Sequence, residues 1–287
     1  MTQLHNDIDA VCDMVKALCG IYLDHSKDYL IESRLSDILK RHEFGSYAEL
    51  ARQARELVNE PLRQEVINAI TTNETLFFRD DSPFQALQHK ALPELIDARA
   101  GSLFPKRLRI WSAASSTGQE VYSIAMTLSE LLPDIHTWDV SILGTDISDA
   151  AIARASRGWY SQHEIERGLP AVKLDKYFVP EAGGWRVRDE LRALARFEKC
   201  NLLKEFVNKG PFDIVFCRNV AIYFTAEDRA DLFHRVARTM STVGYLFVGS
   251  SESLADLGRH FAPHHHCRST FYRPNLPAAS TMELQPV

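Results

Sequence analysis

The hydrophobic rhythm of the chain changes once, near residue 105, and that change restricts the fold more than any other feature. Up to about residue 70, apolar residues recur at helical spacing. Val11, Met14, Val15 and Leu18 follow i, i+3, i+4, i+7, and Ile31, Leu35, Ile38 and Leu39 repeat a similar stripe. Gly45 and Pro61 punctuate this half, so the spacing predicts several short helices packed as a small bundle. Beyond residue 105, short apolar runs at 108–111, 140–143, 214–216 and 245–248 alternate with helical stretches. That alternation predicts an α/β domain built on a doubly wound, mostly parallel sheet. The expected organisation is a small all-helical domain over 1–70, a joining segment over 71–105 that begins the ligand site, and an α/β domain over 106–275. A disordered tail is expected over 276–287, where Pro277, Ala278, Ala279 and Ser280 lie.

Composition narrows the class of partner. A formal net charge of -5 gives no general basic field, so nucleic acid is not an expected partner. The first twenty residues carry Asp7, Asp9 and Asp13 and do not read as a signal peptide, and no segment offers the roughly 20 apolar residues of a membrane span. Cys12, Cys19, Cys200, Cys217 and Cys267 show no C-x-x-C spacing, which fits reduced thiols and a cytoplasmic location. His264, His265 and His266 lack Cys or carboxylate companions at ligand spacing, so they read as surface loop and no metal is expected.

In a doubly wound fold, ligands sit beyond the carboxyl ends of the strands. The first apolar run leads into Trp111-Ser112-Ala113-Ala114-Ser115-Ser116-Thr117-Gly118-Gln119-Glu120, a stretch of small residues that lets backbone approach a ligand closely. Alanine and serine stand where a dinucleotide fold wants glycines, and an acid follows. Glu120 suits a cationic amino group, which S-adenosylmethionine has and NAD lacks. The second run ends in Gly144-Thr145-Asp146, whose carboxylate can accept ribose hydroxyls; read alone, it could equally cap the next helix, as could Ser148 or Asp149. A third run stops at Arg218-Asn219, and Arg218-Asn219-Val220-Ala221-Ile222-Tyr223-Phe224 lacks the N-P-P-Y that would hold an amine acceptor. Between 177 and about 200, Gly183-Gly184 predicts a hairpin, with Ala195-Arg196-Phe197-Glu198 as a further strand of a small antiparallel insert.

Taken in order, these motifs resemble the CheR-type chemotaxis-receptor protein-glutamate O-methyltransferases, from the helical start to about Arg273. The most specific pieces are Asn73-Glu74-Thr75-Leu76-Phe77-Phe78-Arg79-Asp80, the turn from Trp111 to Ser123, Gly144-Thr145-Asp146-Ile147, Asn201-Leu202-Leu203, the Cys217 to Phe224 stretch and Gly249-Ser250-Ser251-Glu252-Ser253. The resemblance implies a class I, Rossmann-like methyltransferase that uses S-adenosylmethionine and releases S-adenosylhomocysteine. It implies Asn73, Thr75, Arg79, Glu120, Asp146, Asn201, Leu202, Arg218 and Asn219 as the cofactor site, with Arg79 and Tyr223 closest to the transferred methyl. It also implies that Lys27, Arg34, Lys40 and Arg41 meet acidic receptor helices, and that the protein is a monomer with no direct membrane insertion. Some members tether a receptor carboxyl-terminal peptide on the insert and others do not. The family usually reads Gly-Glu-Glu-Pro-Tyr-Ser where this chain has Gly118-Gln119-Glu120-Val121-Tyr122-Ser123. That departure is the one support for a receptor-binding module without turnover; a same-fold methyltransferase acting on nucleic acid or a small molecule is weakened by the acidic net charge and the missing N-P-P-Y but stays open.

Overall fold

The computed structural model describes residues 2–204, 206 and 209–275; the expected tail over 276–287 lies outside them. Four helices open the chain: α1 (Thr2–Cys19), α2 (Asp28–Arg41), α3 (Tyr47–Arg55) and α4 (Glu60–Ile70). The two stripes seen in the sequence face inward, since Val11, Met14, Val15, Ile31, Leu35 and Ile38 share one core with Leu50 and Val66. Ser46 caps α3 by accepting the Glu49 N–H, and Pro61 sits in the first turn of α4, where its missing N–H costs nothing.

The joining segment is itself helical. It holds α5 (Ser82–Ala86) and α6 (Leu92–Arg99), linked by one turn of π-helix over Leu87–Ala91, and Phe84, Leu87, Leu92 and Leu95 enter the core beneath the sheet. Then follow β1 (Arg107–Ala113), α7 (Gln119–Leu131), β2 (Asp139–Asp146), α8 (Asp149–Arg157), β3 (Trp159–Ser161), α9 (Gln162–Glu166), α10 (Ala171–Tyr177), β4 (Phe178–Glu181), β5 (Gly184–Val187) and α11 (Asp189–Arg192). The chain continues through β6 (Ala195–Lys199), β7 (Phe212–Cys217), α12 (Ala226–Arg238), β8 (Met240–Phe247), β9 (Phe261–His266) and β10 (Ser269–Pro274).

The main sheet has the order β6-β2-β1-β7-β8-β10-β9, with β6 to β8 parallel and the last two antiparallel. Chain order reverses between β1 and β7, and the carboxyl ends of β1, β2 and β7 meet at that point, where open α/β sheets bind ligands. The fold is therefore a doubly wound, mostly parallel sheet with a helical domain before it and a small antiparallel sheet, β3-β5-β4, inserted in it.

Two local expectations change. Residues 195–199 leave the small sheet and pair in parallel with β2, because Gly144 opens a slot that the Phe197 ring fills; a Cβ on Gly144 would stand 2.6 Å from that ring. Trp159 to Ser161 supplies the third strand of the insert instead. The histidine run is no loop: it lies in edge strand β9, where His264 and His265 pair with Phe271 and Thr270 and stay exposed.

Candidate functional site

The turn after β1 needs left-handed backbone at three positions: Ala114 (φ 57°), Ser116 (φ 50°) and Gly118 (φ 95°). Gly118 is the one glycine among them because a Cβ there would stand 2.9 Å from the Ala155 Cβ and 3.0 Å from the Tyr160 hydroxyl. Phe78, Asp80 and Asn219 also lie in this region, with φ of 51°, 59° and 57°. This costs about 1–2 kcal/mol each at Ala114, Ser116 and Phe78 and less at Asp80 and Asn219, and strain of that kind persists where surrounding contacts impose it.

Those contacts are present. Residues 73–80 are strapped over the β1–α7 turn: the Ser116 hydroxyl donates to the Asn73 carbonyl at 2.9 Å, and the Phe78 N–H donates to Ser123 Oγ at 3.0 Å. At the end of β2, Asp146 is buried and accepts the Ser116 N–H on Oδ2 and the Ser148 N–H on Oδ1, both at 2.9 Å. Ser148 caps α8, so Asp146 is free of the capping role its position left open. Burial raises the Asp146 pKa, against the backbone N–H groups of Ser148, Ser116 and Ile147, which lower it.

At the end of β7 a buried ion network spans the sheet. Arg218, its side chain 1% exposed, donates from Nη1 to Glu120 Oε2 at 2.9 Å. Its Nη2 donates to Asp80 Oδ2 at 2.8 Å and to the Arg79 carbonyl at 2.7 Å. The Ser112 hydroxyl donates to the other Glu120 oxygen at 2.7 Å. Three segments far apart in sequence are thus held by one guanidinium.

The helical half closes the cleft. The Asn201 amide donates to the Leu18 carbonyl at 2.8 Å while its oxygen accepts the Leu203 N–H, and the Tyr22 N–H donates to the Tyr223 carbonyl at 2.8 Å. From α4, Asn68 donates to Asp149 at 2.8 Å and accepts the Ser148 hydroxyl at 2.8 Å.

One cavity results, and Asn73, Thr75, Arg79, Glu120, Asp146, Asn201, Leu202, Arg218, Asn219 and Tyr223 all line it. Ser115 and Ser116 line it too; the Ser115 hydroxyl is buried without a hydrogen-bond partner among the described residues, as is Arg218 Nε. Carboxylates, a guanidinium and an unsatisfied hydroxyl suit a ligand carrying an amino acid head and ribose hydroxyls. The departing residues point elsewhere. Gln119 is buried and takes the Thr117 hydroxyl at 2.8 Å, and Val121 packs in the sheet core.

The four basic residues on and beside α2 do not form one free face. Arg34 donates to the Ile70 carbonyl at 2.6 Å and to Thr72 Oγ1 at 3.1 Å, Arg41 pairs with Glu65, and Lys27 lies 3.9 Å from Asp24. Lys40 is exposed. Sequence reasoning missed Asp80 and Ser112 as partners within the ion network, and the tether made by Asn201. Only the position of Asp80 at the end of a quoted motif signalled it.

Residues 73–269 match the family model described as CheR methyltransferase, SAM binding domain, and residues 6–71 match CheR methyltransferase, all-alpha domain. The chain is 40% identical over 266 residues to chemotaxis protein methyltransferase 1 of Pseudomonas aeruginosa, covering 91% of this chain and 95% of that protein. It is 40% identical over 248 residues to a chemotaxis protein methyltransferase of Pseudomonas putida, covering 85% and 88%. Chemotaxis protein methyltransferase 1 of Vibrio cholerae is 38% identical over 254 residues, covering 86% of this chain and 88% of its own. S-adenosylmethionine is accordingly the cofactor, and the chain belongs to the CheR methyltransferase family.

Proposed function

We propose that this protein transfers the methyl group of S-adenosylmethionine to glutamate side chains of chemotaxis receptors. The observation that carries the reading is that Arg79 and Tyr223 share one cavity with the Glu120–Arg218 pair and Asp146. When bound, the cofactor supplies an electrophilic methyl on a sulfonium. Glu120 would hold its amino group, Arg218 its carboxylate and Asp146 its ribose hydroxyls. Arg79 and Tyr223 would orient the acceptor carboxylate and exclude water from it. A glutamate, with a reference pKa of about 4.3, is ionised at neutral pH, so the reaction needs no general base. The test is an assay for base-labile methyl esters on receptor membranes from the source organism, with labelled cofactor; label on nucleic acid, or cofactor binding without transfer, would refute the reading.

Asp146→Ala is expected to weaken cofactor binding by about 1–3 kcal/mol, read by calorimetry, because two hydroxyls lose a charged acceptor. Burial holds the Asp146 pKa above the ordinary carboxylate value, so the charged acceptor is lost as pH falls through that raised pKa. Wild-type affinity should therefore decline on acidification and the variant should lack that decline. Unchanged affinity at neutral pH would remove Asp146 from the site.

The receptor would dock with its acidic helices along α2, through Lys27, Lys40 and Arg41. Arg34 is spent on the Ile70 and Thr72 oxygens, so it fits the role of a brace between α2 and the cofactor cleft. Lys40→Glu with Arg41→Glu is expected to lower kcat/KM for receptor roughly tenfold at low salt, and wild-type rates should fall as salt rises. A double variant with wild-type receptor kinetics would exclude this face. No described helix is long and apolar enough to cross a membrane. If this chain is one of the tethered members, outer strand β4 of the small sheet is an edge to which an extended receptor tail peptide would add as a further strand.

A further inference from the structure

The stretch Gly249-Ser250-Ser251-Glu252-Ser253 follows β8 and has no part in the methyl transfer as proposed above. Its Glu252 nevertheless reaches the cleft wall. Glu252 Oε2 accepts the Asn219 N–H and the Gly249 N–H, both at 2.7 Å, so one carboxylate oxygen joins the turn after β8 to the turn after β7. Asn219 lies in the left-handed region, with φ of 57°, which asparagine tolerates and which the bond from its N–H to Glu252 holds in place. A Cβ on Gly249 would stand 2.6 Å from both Glu252 Oε2 and Asn219 Nδ2, so the three groups are close-packed. The second oxygen, Oε1, is buried with no hydrogen-bond partner among the described residues. A buried unpaired oxygen costs about 1–3 kcal/mol, so the two N–H bonds to Oε2 hold this carboxylate in place against that cost.

We propose that Glu252 is a positioning residue for the cofactor site: by fixing Asn219 in the left-handed turn, it sets the direction in which Arg218 and Asn219 enter the cleft. The inference rests on the reading of that cleft as the S-adenosylmethionine site. Arg218, Asn219, Val220 and Tyr223 all line the cavity, so release of the turn at Asn219 redirects a continuous stretch of its wall.

The test is calorimetric binding of S-adenosylhomocysteine to the full chain, with folding checked by circular dichroism. Glu252→Ala is expected to raise Kd at least about tenfold, and Glu252→Gln, whose amide oxygen can take both N–H groups, to stay within about threefold of wild type. That split separates positioning from general destabilisation, which would not be rescued by the conservative change. Gly249→Ala keeps the carboxylate but crowds it, and should weaken binding in the same direction; it decides the matter if Glu252→Ala does not fold. A folded Glu252→Ala or Gly249→Ala protein with wild-type Kd would overturn the positioning role alone. Failure of the wild type to bind S-adenosylhomocysteine would overturn the reading of the cleft, and the positioning role with it.

Discussion

Arg79→Ala is expected to lower kcat for receptor methylation by about a hundredfold, with S-adenosylmethionine affinity within a few-fold of wild type and the fold intact. The structure makes the three parts of this expectation separable. Among the described residues the Arg79 side chain makes a single hydrogen bond, to the Glu74 carbonyl at 3.2 Å, so its removal strands no buried partner there. Its backbone carbonyl, which accepts from Arg218, survives the substitution. What is lost is a planar donor at the cavity wall shared with Tyr223, and misplacement of a reacting carboxylate by about an ångström can cost a hundredfold. Arg79→Lys should fall between, since it keeps charge without the fork. A tight clamp would also damp the nucleophilicity of the carboxylate, so the role expected of Arg79 is orientation. Single-turnover transfer at saturating cofactor is the measurement, and near-normal rates from the alanine variant would sink the assignment.

The parts of this molecule that were legible in its sequence are those whose signal is local. Each ligand-facing residue named from the sequence follows a strand or lies in a quoted motif, and topology brings the strand ends together, so Glu120, Asp146 and Arg218 meet in one cavity. What was illegible depends on distant partners. Nothing beside Arg34 announces that its guanidinium turns inward to residue 70 and 72 oxygens, and a basic helix face is the default reading of its neighbours. Residues 195–199 alternate like a hairpin strand, and only the space over Gly144, fifty residues earlier, draws Phe197 into the parallel sheet. Asn201 reads as a turn residue and is one, through the Leu203 N–H, but its amide also carries a bond to Leu18 that closes the cleft. Gln119 and Val121, the departures that left a module without turnover open, are both buried and are not among the residues that line the cavity.

Arg218→Met is expected to be the most damaging single change, lowering stability by about 3–5 kcal/mol as well as cofactor affinity. Arg218 stands between two acids: Glu120, whose side chain is 13% exposed, and Asp80, at 33%. Methionine is apolar and of similar length, so it fills the space beside Phe84 without pairing either carboxylate. Replacing a whole buried ion cluster by apolar groups can be neutral, whereas removing one partner leaves uncompensated charge. That asymmetry supplies the control. Glu120→Gln alone keeps a hydrogen-bonding group against Ser112 and Arg218, and in the Arg218→Met background it removes the buried negative charge, so the double variant should recover part of the lost stability. The same pair would hold the amino acid end of the cofactor, so S-adenosylhomocysteine should protect wild type against thermal unfolding and fail to protect either Arg218 variant. An Arg218→Met protein as stable as wild type, and equally protected by ligand, would show that this guanidinium neither joins the three segments nor belongs to the cofactor site.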